Sequence, residues 1–220
     1  MFSNLETNLN PEEISNWFFR LNGCMSIPNF IVHPDRGRGS QRTDVDVLAV
    51  RFPYRAELLT SGEPMQDHYV FNSNNQIDII LAEVKHGLCR LNGPWTNPPD
   101  ENMHHVLHAI GAFEADNVPE VAESLYENGQ YNNEHFRVRL FAIGSMINDE
   151  ILPGAVQLTW DDLLTFIHAR FNLYRNQKSQ HNQWDPTGRT LFRIAVETSA
   201  EAFIDIIKEC MYRHVHPNAG

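Results

Sequence analysis

Apolar positions first recur at helical spacing at Ile14, Trp17, Phe18 and Leu21, with Pro11 near the start and Gly23 beyond the end, which predicts a helix over 11–22. Residues 25–33 then read as a short strand, and residues 33–40 carry the Gly, Pro and charge content of a loop. The stretch 44–52 is β-branched and apolar on both faces apart from its aspartates, as expected of a central strand covered from both sides. A polar connection over 55–76, broken by Ser61-Gly62-Glu63-Pro64 and Asn72-Ser73-Asn74-Asn75, leads to a third strand over 77–85. After a Pro- and Asn-rich passage, helical patterns cover 103–115 and 119–128, and residues 136–143 alternate as a fourth strand. Thr159 with Asp162 three residues on marks another helix start, with Leu163, Leu164, Phe166, Ile167 and Phe171 on its apolar face. A final helix is expected over 187–212. The order of elements predicts an α/β core in residues 1–150, a mixed central sheet flanked by helices, and a helical C-terminal extension in 151–220.

Composition narrows the class. Of 220 residues, 42% are apolar and 20% charged, with 12 Gly and 12 Pro, so disorder and collagen-like repeats are not expected. No apolar run reaches the roughly 18 residues that a bilayer span requires, and the first residues lack a basic segment followed by an apolar one, so no membrane association and no secretory signal are expected. Cys24, Cys89 and Cys210 are odd in number and widely spaced, matching neither a disulfide framework nor a zinc site, which suits a reducing cytoplasm. With 17 Lys+Arg against 28 Asp+Glu the net charge is −11, so any hold on nucleic acid must come from a local patch or a protein partner.

The chemistry-bearing residues are Asp46 and the triplet Glu83-Val84-Lys85. On a strand, Glu83 and Lys85 share a face with Ile77, Ile79 and Leu81, which sets an ionic pair at the end of an apolar row. Buried there, each charge needs a strong partner: the other charge, or a metal ion. Asp46, among Val45, Val47, Leu48, Ala49 and Val50, raises the same problem. Two neighbouring strands that each supply an acid form a hard-oxygen site of the kind Mg2+ takes.

These residues resemble the motif of the PD-(D/E)XK, or restriction-endonuclease-like, nuclease superfamily. That motif has an Asp at the start of an apolar strand, a Glu-x-Lys on the next strand, and in some members a Glu on the preceding helix. Here it reads Asp46, then Glu83-Val84-Lys85, with Glu12 or Glu13 upstream, and the element order resembles the family's αβββαβ core over residues 11–145. Of the two glutamates Glu13 lies nearer the apolar stripe and is the better candidate, while Asp44 shares the facing of Asp46 and is its alternative. Two departures stand out: Asp46 and Glu83 are 37 residues apart, requiring an elaborated connection, and the literal Pro34-Asp35 pair lies in a Gly/Arg loop with no apolar run after it. The resemblance implies hydrolysis of phosphodiester bonds with Mg2+ or Mn2+. Asp46, Glu83 and the Val84 carbonyl would hold the metal, Glu13 would bind it directly or through water, and Lys85 would orient and help deprotonate the attacking water.

Arg36, Arg38 and Arg42, spaced by Gly37 and Gly39, form a loop suited either to clasping phosphates or to a solvated turn. His104 and His108 are four residues apart on a predicted helix, but no acid or Cys completes a zinc motif; His86 reads as a structural residue at a strand end. Trp160, Phe171, Tyr174 and Trp184 are expected to pack in the core, with Arg170, Arg175, Lys178 and Arg189 adding local positive charge. The expectation is therefore a metal-dependent nuclease acting on DNA, as a restriction- or defence-type effector controlled by a protein partner or acting as a homo-oligomer. The rival readings are RNA as substrate, or a non-catalytic interaction module on the same fold.

Overall fold

Asn10 starts the first helix by accepting the Glu12 N–H at 2.8 Å, and Pro11 occupies the first turn, where a missing N–H costs nothing. Helix α1 (Pro11–Leu21) ends at Gly23, which takes the left-handed conformation. In the computed structural model, residues 9–33, 42–56, 65–72 and 75–212 are described. Strands β1 (Met25–Val32), β2 (Thr43–Arg51) and β3 (Ile77–Val84) follow and pair antiparallel in sequence order. The crossover from β3 contains α2 (Gly93–Thr96), α3 (Asn102–Ile110) and α4 (Val118–Asn128). It leads to β4 (Gln130–Asn132) and β5 (Phe136–Gly144), and β5 runs parallel to β3. Next come β6 (Val156–Thr159), α5 (Trp160–Leu173), α6 (Arg175–Lys178), α7 (Pro186–Glu197) and α8 (Ala200–Tyr212). The sheet order is β1-β2-β3-β5-β4, with β6 beside the second half of β5.

This is an α/β fold with a mixed, open sheet between two helical layers. Ile80, Ala82 and Val84 of β3 face α1, α5, α7 and α8, while Ile79 and Leu81 face α3 and α4. The near-continuous apolar run of β3 is the sequence expression of that two-sided burial. Residues beyond 150 add β6 to the sheet, and α5, α7 and α8 share one hydrophobic cluster with α1. No helix among the described residues is long and apolar enough to cross a membrane. Cys24, Cys89 and Cys210 are buried.

The elements differ from the sequence pattern at a few places, each with a local cause. The helix expected over 103–115 stops at Ile110 because Gly111 turns left-handed. The helix expected over 187–212 is two helices: Thr198 is extended with its Oγ1 bonded to the Ile194 carbonyl at 2.7 Å, and Ser199 Oγ accepts the Ala202 N–H at 3.3 Å. Strands β4 and β6 are too short to express a period of two. The capping box at Thr159 and Asp162 forms as the spacing implied.

Two buried carboxylates organise the side of the sheet away from the end of β3. Asp78 accepts from Arg137 at 2.7 Å and from Arg139. Asp67 accepts from Arg51 at 2.7 Å, from Arg55 at 3.0 Å and from Arg170, whose guanidinium also reaches the carbonyls of Leu21 and Gln66. These guanidiniums are thereby paired as they are buried.

Helices α1 and α7 meet at Gly188, where a Cβ would fall 1.9 Å from Trp17 Cζ2, so only glycine permits this approach. Asp185 holds the same junction, accepting from Gly188 N–H at 2.8 Å, Trp17 Nε1 at 2.9 Å and Arg20 at 2.9 Å. Partial burial alone would raise its pKa, but these donors outweigh burial and hold the carboxyl below the usual aspartate value. Its stabilisation is therefore present above the ordinary value of about 3.9 and is lost as pH falls through the folded value. Asp185→Ala is expected to cost about 1–2 kcal/mol at pH 7 in urea unfolding, and the gap from wild type should close in strong acid. An unchanged gap there would contradict the linkage.

Candidate active site

The site forms where the β2–β3 ladder opens. Pairing runs from Arg51↔Asp78 to Val47↔Ala82 and then stops, one residue short of Asp46 and Glu83. The Val84 N–H, not used in that ladder, is taken by Asp46 Oδ2 at 2.7 Å. A carboxylate on one strand thus closes the gap left by the parting backbones.

Glu83 lies on the face of β3 shared with Ile79 and Leu81, as its period of two requires, and is 3% exposed. Its Oε2 accepts the Trp95 indole N–H at 2.6 Å, and its Oε1 accepts from Lys85 and from Asn92. Both carboxylate oxygens are therefore partnered, and α2 exists in part to deliver Trp95 and Asn92 to them. Lys85 is fixed through its backbone: its N–H donates to the Ile143 carbonyl at 2.8 Å and its carbonyl accepts from Trp160 Nε1 at 3.1 Å. The following carbonyl, of His86, accepts from Tyr212 at 3.0 Å and from Ser145. His86 also sets its ring 5.5 Å from that of Tyr212.

The helical glutamate at the site is Glu12. Its carboxyl senses the charges of Asp46, Asp44 and Lys85 and is hydrogen-bonded by Asn29. Glu13, the residue favoured from the sequence, is one position further round α1 and accepts a hydrogen bond from Thr187 of α7. The apolar stripe of α1 faces α5 and α7 as well as the sheet, so nearness to that stripe selects the residue turned toward α7. Asn29 has φ 51° and occupies the β1 position opposite Asp46, where the regular pairing of Pro28↔Val47 and Phe30↔Val45 skips one residue. The inward faces also change phase here: Val47 packs under α1, whereas Val45 packs with α3 and α4. Left-handed backbone is uncommon outside glycine, and Asn is among the residues that tolerate it best.

Electrostatics follow from three converging acids. Burial raises the pKa of Glu83 in spite of Lys85 and Trp95, and the Asp46 charge adds to the rise. Burial likewise raises Asp46, against the Val84 N–H and Lys85, with Asp44 contributing in the same direction. Glu12 is raised by burial and then by Asp46. A single ammonium thus faces an excess of carboxylate charge.

The donor chemistry fits a hard divalent cation. Among the described residues no three His, Cys, Asp or Glu side chains form a ready-made metal group, so the arrangement is not an all-protein cage. Mg2+ needs no cage, since one or two carboxylates suffice when water and phosphate oxygens complete its shell. Asp46, Glu12 and Glu83 are the carboxylates that could supply protein oxygens to such an ion.

The remaining expected residues lie elsewhere. Arg42 donates to Asn102 Oδ1 at 3.1 Å and to the Asp100 carbonyl, tying the start of β2 to the start of α3 instead of reaching into the site. Arg36, Arg38 and the Pro34-Asp35 pair lie outside the described residues. Asn29, Asn92 and Trp95 went unnoticed in the sequence. Trp95 carried the one available signal, an amphipathic indole in a Gly-Pro turn whose N–H needs a buried acceptor. No family model, curated protein or solved structure matches this chain.

The raised Glu12 carboxyl makes a stability prediction. Its folded pKa exceeds the ordinary value of about 4.3, so folding stability falls as pH rises from there through the folded value. Glu12→Gln removes that charge while retaining an acceptor for Asn29. Thermal melts in EDTA should show a higher Tm than wild type at pH 7 and no gain at pH 4. A lower Tm at pH 7 would show that the glutamate is held by contacts other than these.

Proposed function

We propose that this protein is a metal-dependent phosphodiesterase of the PD-(D/E)XK type that cleaves nucleic acid, with DNA as the target. The observation that carries the reading is the convergence of Asp46, Glu83 and Lys85 where β2 and β3 part, with Glu12 entering from α1. An αβββαβ order leading to a mixed sheet with β3 and β5 parallel supports the same fold assignment.

Asp46, Glu83 and the Val84 carbonyl would hold Mg2+ or Mn2+, and Glu12 takes the place expected of Glu13. Bound there, the cation supplies Lewis-acid polarisation of the phosphate and lowers the pKa of a coordinated water. The protein's own part is positional. Lys85, half-buried and tethered to Glu83, orients the attacking water and presents its ammonium to the charge that develops on the phosphoryl oxygens. Trp95 and Asn92 hold the Glu83 carboxylate in one orientation, so that its charge is not redirected when substrate arrives. The charge of −11 supports delivery to the substrate by a protein partner, because the overall field repels a polyanion.

Purified protein incubated with plasmid DNA and with structured RNA should cleave DNA in Mg2+ or Mn2+ and not in EDTA. Glu83→Ala and Lys85→Ala should each reduce the rate by about 100-fold or more while unfolding cooperatively. Wild-type rates in both variants would overturn the assignment, and cleavage of RNA alone would move the substrate. In a separate measurement, Mn2+ should raise the Tm of the wild type, because a ligand that binds only the folded state stabilises it. Asp46→Asn should abolish most of that rise.

A further inference from the structure

The basic side chains of this acidic protein are mostly committed. Arg51, Arg55 and Arg170 hold Asp67, Arg137 and Arg139 hold Asp78, Arg20 holds Asp185, Lys208 holds Asp161, and Arg42 braces α3. Arg90, Arg175, Arg189 and Arg193 are exposed and have no ion-pair partner among the described residues, and of these Arg189 and Arg193 belong to one helix. Four residues apart on α7, they share one face of the helix.

That face lines a groove of about 680 Å³. Arg189 and Arg193 supply its charge, Pro186 lies at one end, and His181 and Phe192 form an aromatic wall, their rings 4.9 Å apart and edge to face. His181 stacks in turn on Trp184 at 5.2 Å, which fixes the wall against the core. The one acid in the groove, Glu197, comes a turn after Arg193 and bounds the basic tract. Cations beside aromatic faces suit a chain of phosphates carrying flat bases.

The position relative to the acidic site is set by α1. Glu12 faces Asp46 and Lys85, while its neighbour Glu13 accepts from Thr187 in the first turn of α7. Arg189 and Arg193 follow Thr187 by about 3 Å and about 9 Å of helical rise. Arg189 and Arg193 lie about 200° and about 240° round α7 from Thr187, so the groove is on the face of α7 turned away from α1 and from the acidic site.

We propose that the α7 groove is a second nucleic-acid contact, in which Arg189 and Arg193 bind backbone phosphates at a distance from the acidic site. The substrate role rests on the nuclease reading, but binding itself does not require catalysis, and the test keeps the two apart. Binding of a fluorescein-labelled DNA duplex by the full chain is followed by anisotropy in EDTA between 50 and 200 mM salt. Arg189→Ala/Arg193→Ala should lower the slope of log K against log salt by about 2, so that wild type loses roughly ten-fold more affinity than the variant over this range. Arg189→Lys/Arg193→Lys should retain most of the slope. Because both arginines are exposed, unchanged melting is expected and serves as the control for folding.

Wild-type slope and affinity in the double alanine variant would overturn the groove proposal and leave the nuclease reading standing. The reverse result, a lost slope in a protein that cleaves nothing under any metal condition, would sustain the groove and remove the catalytic reading. Equal binding of a poly-glutamate peptide, lost in the same variant, would also overturn the proposal by making the groove a site for acidic protein.

Discussion

The feature on which the candidate site depends is the early end of the β2–β3 ladder. Antiparallel strands satisfy their backbone donors through each other, and where they diverge each freed N–H needs another acceptor. Asp46 is that acceptor for Val84. A single hydrogen bond therefore does two things: it terminates the sheet without an unsatisfied donor, and it orients a carboxylate beside Glu83 and Lys85. The charge convergence follows from where the pairing stops.

Behind the site the structure is braced on every side. The backbone of Lys85 is bonded to β5 through Ile143 and to α5 through Trp160, and the His86 carbonyl is bonded to α8 through Tyr212. The Glu83 carboxylate is held by the short helix α2. These contacts come from parts of the chain as distant as residues 85 and 212, so the C-terminal helices buttress the site as well as complete the hydrophobic layer under the sheet. Such support is what allows mutually repelling acids to be held at one end of the sheet.

Much of this was legible in the sequence, for reasons that differ between elements. The strands β2 and β3 announced themselves through unbroken apolar runs, since both faces are covered, and the acids interrupting those runs stood out by contrast. Helix α5 was marked by its Thr159 and Asp162 box. What could not be read was rotational detail: Glu12 and Glu13 differ by about 100° on the helix, and apolar periodicity cannot choose between them when the helix is packed on two sides. Asn29 gave no pattern at all, because a lone left-handed residue within a strand changes geometry without changing composition. Asn92 and Trp95 reach Glu83 from a connection whose path is a tertiary matter.

The cluster at Asp67 has a consequence for how this molecule comes apart. One carboxylate there gathers guanidiniums from β2, from the segment after it and from α5, so the sheet and the helical layer are fastened at a common knot. Withdrawal of the segment that carries Asp67 leaves three guanidiniums without their counter-charge, and its release favours release of the segments they belong to. Loosening at this corner would accordingly spread between layers as a concerted event, while the acidic pocket at the opposite end of the strands stays fastened by its own separate ties.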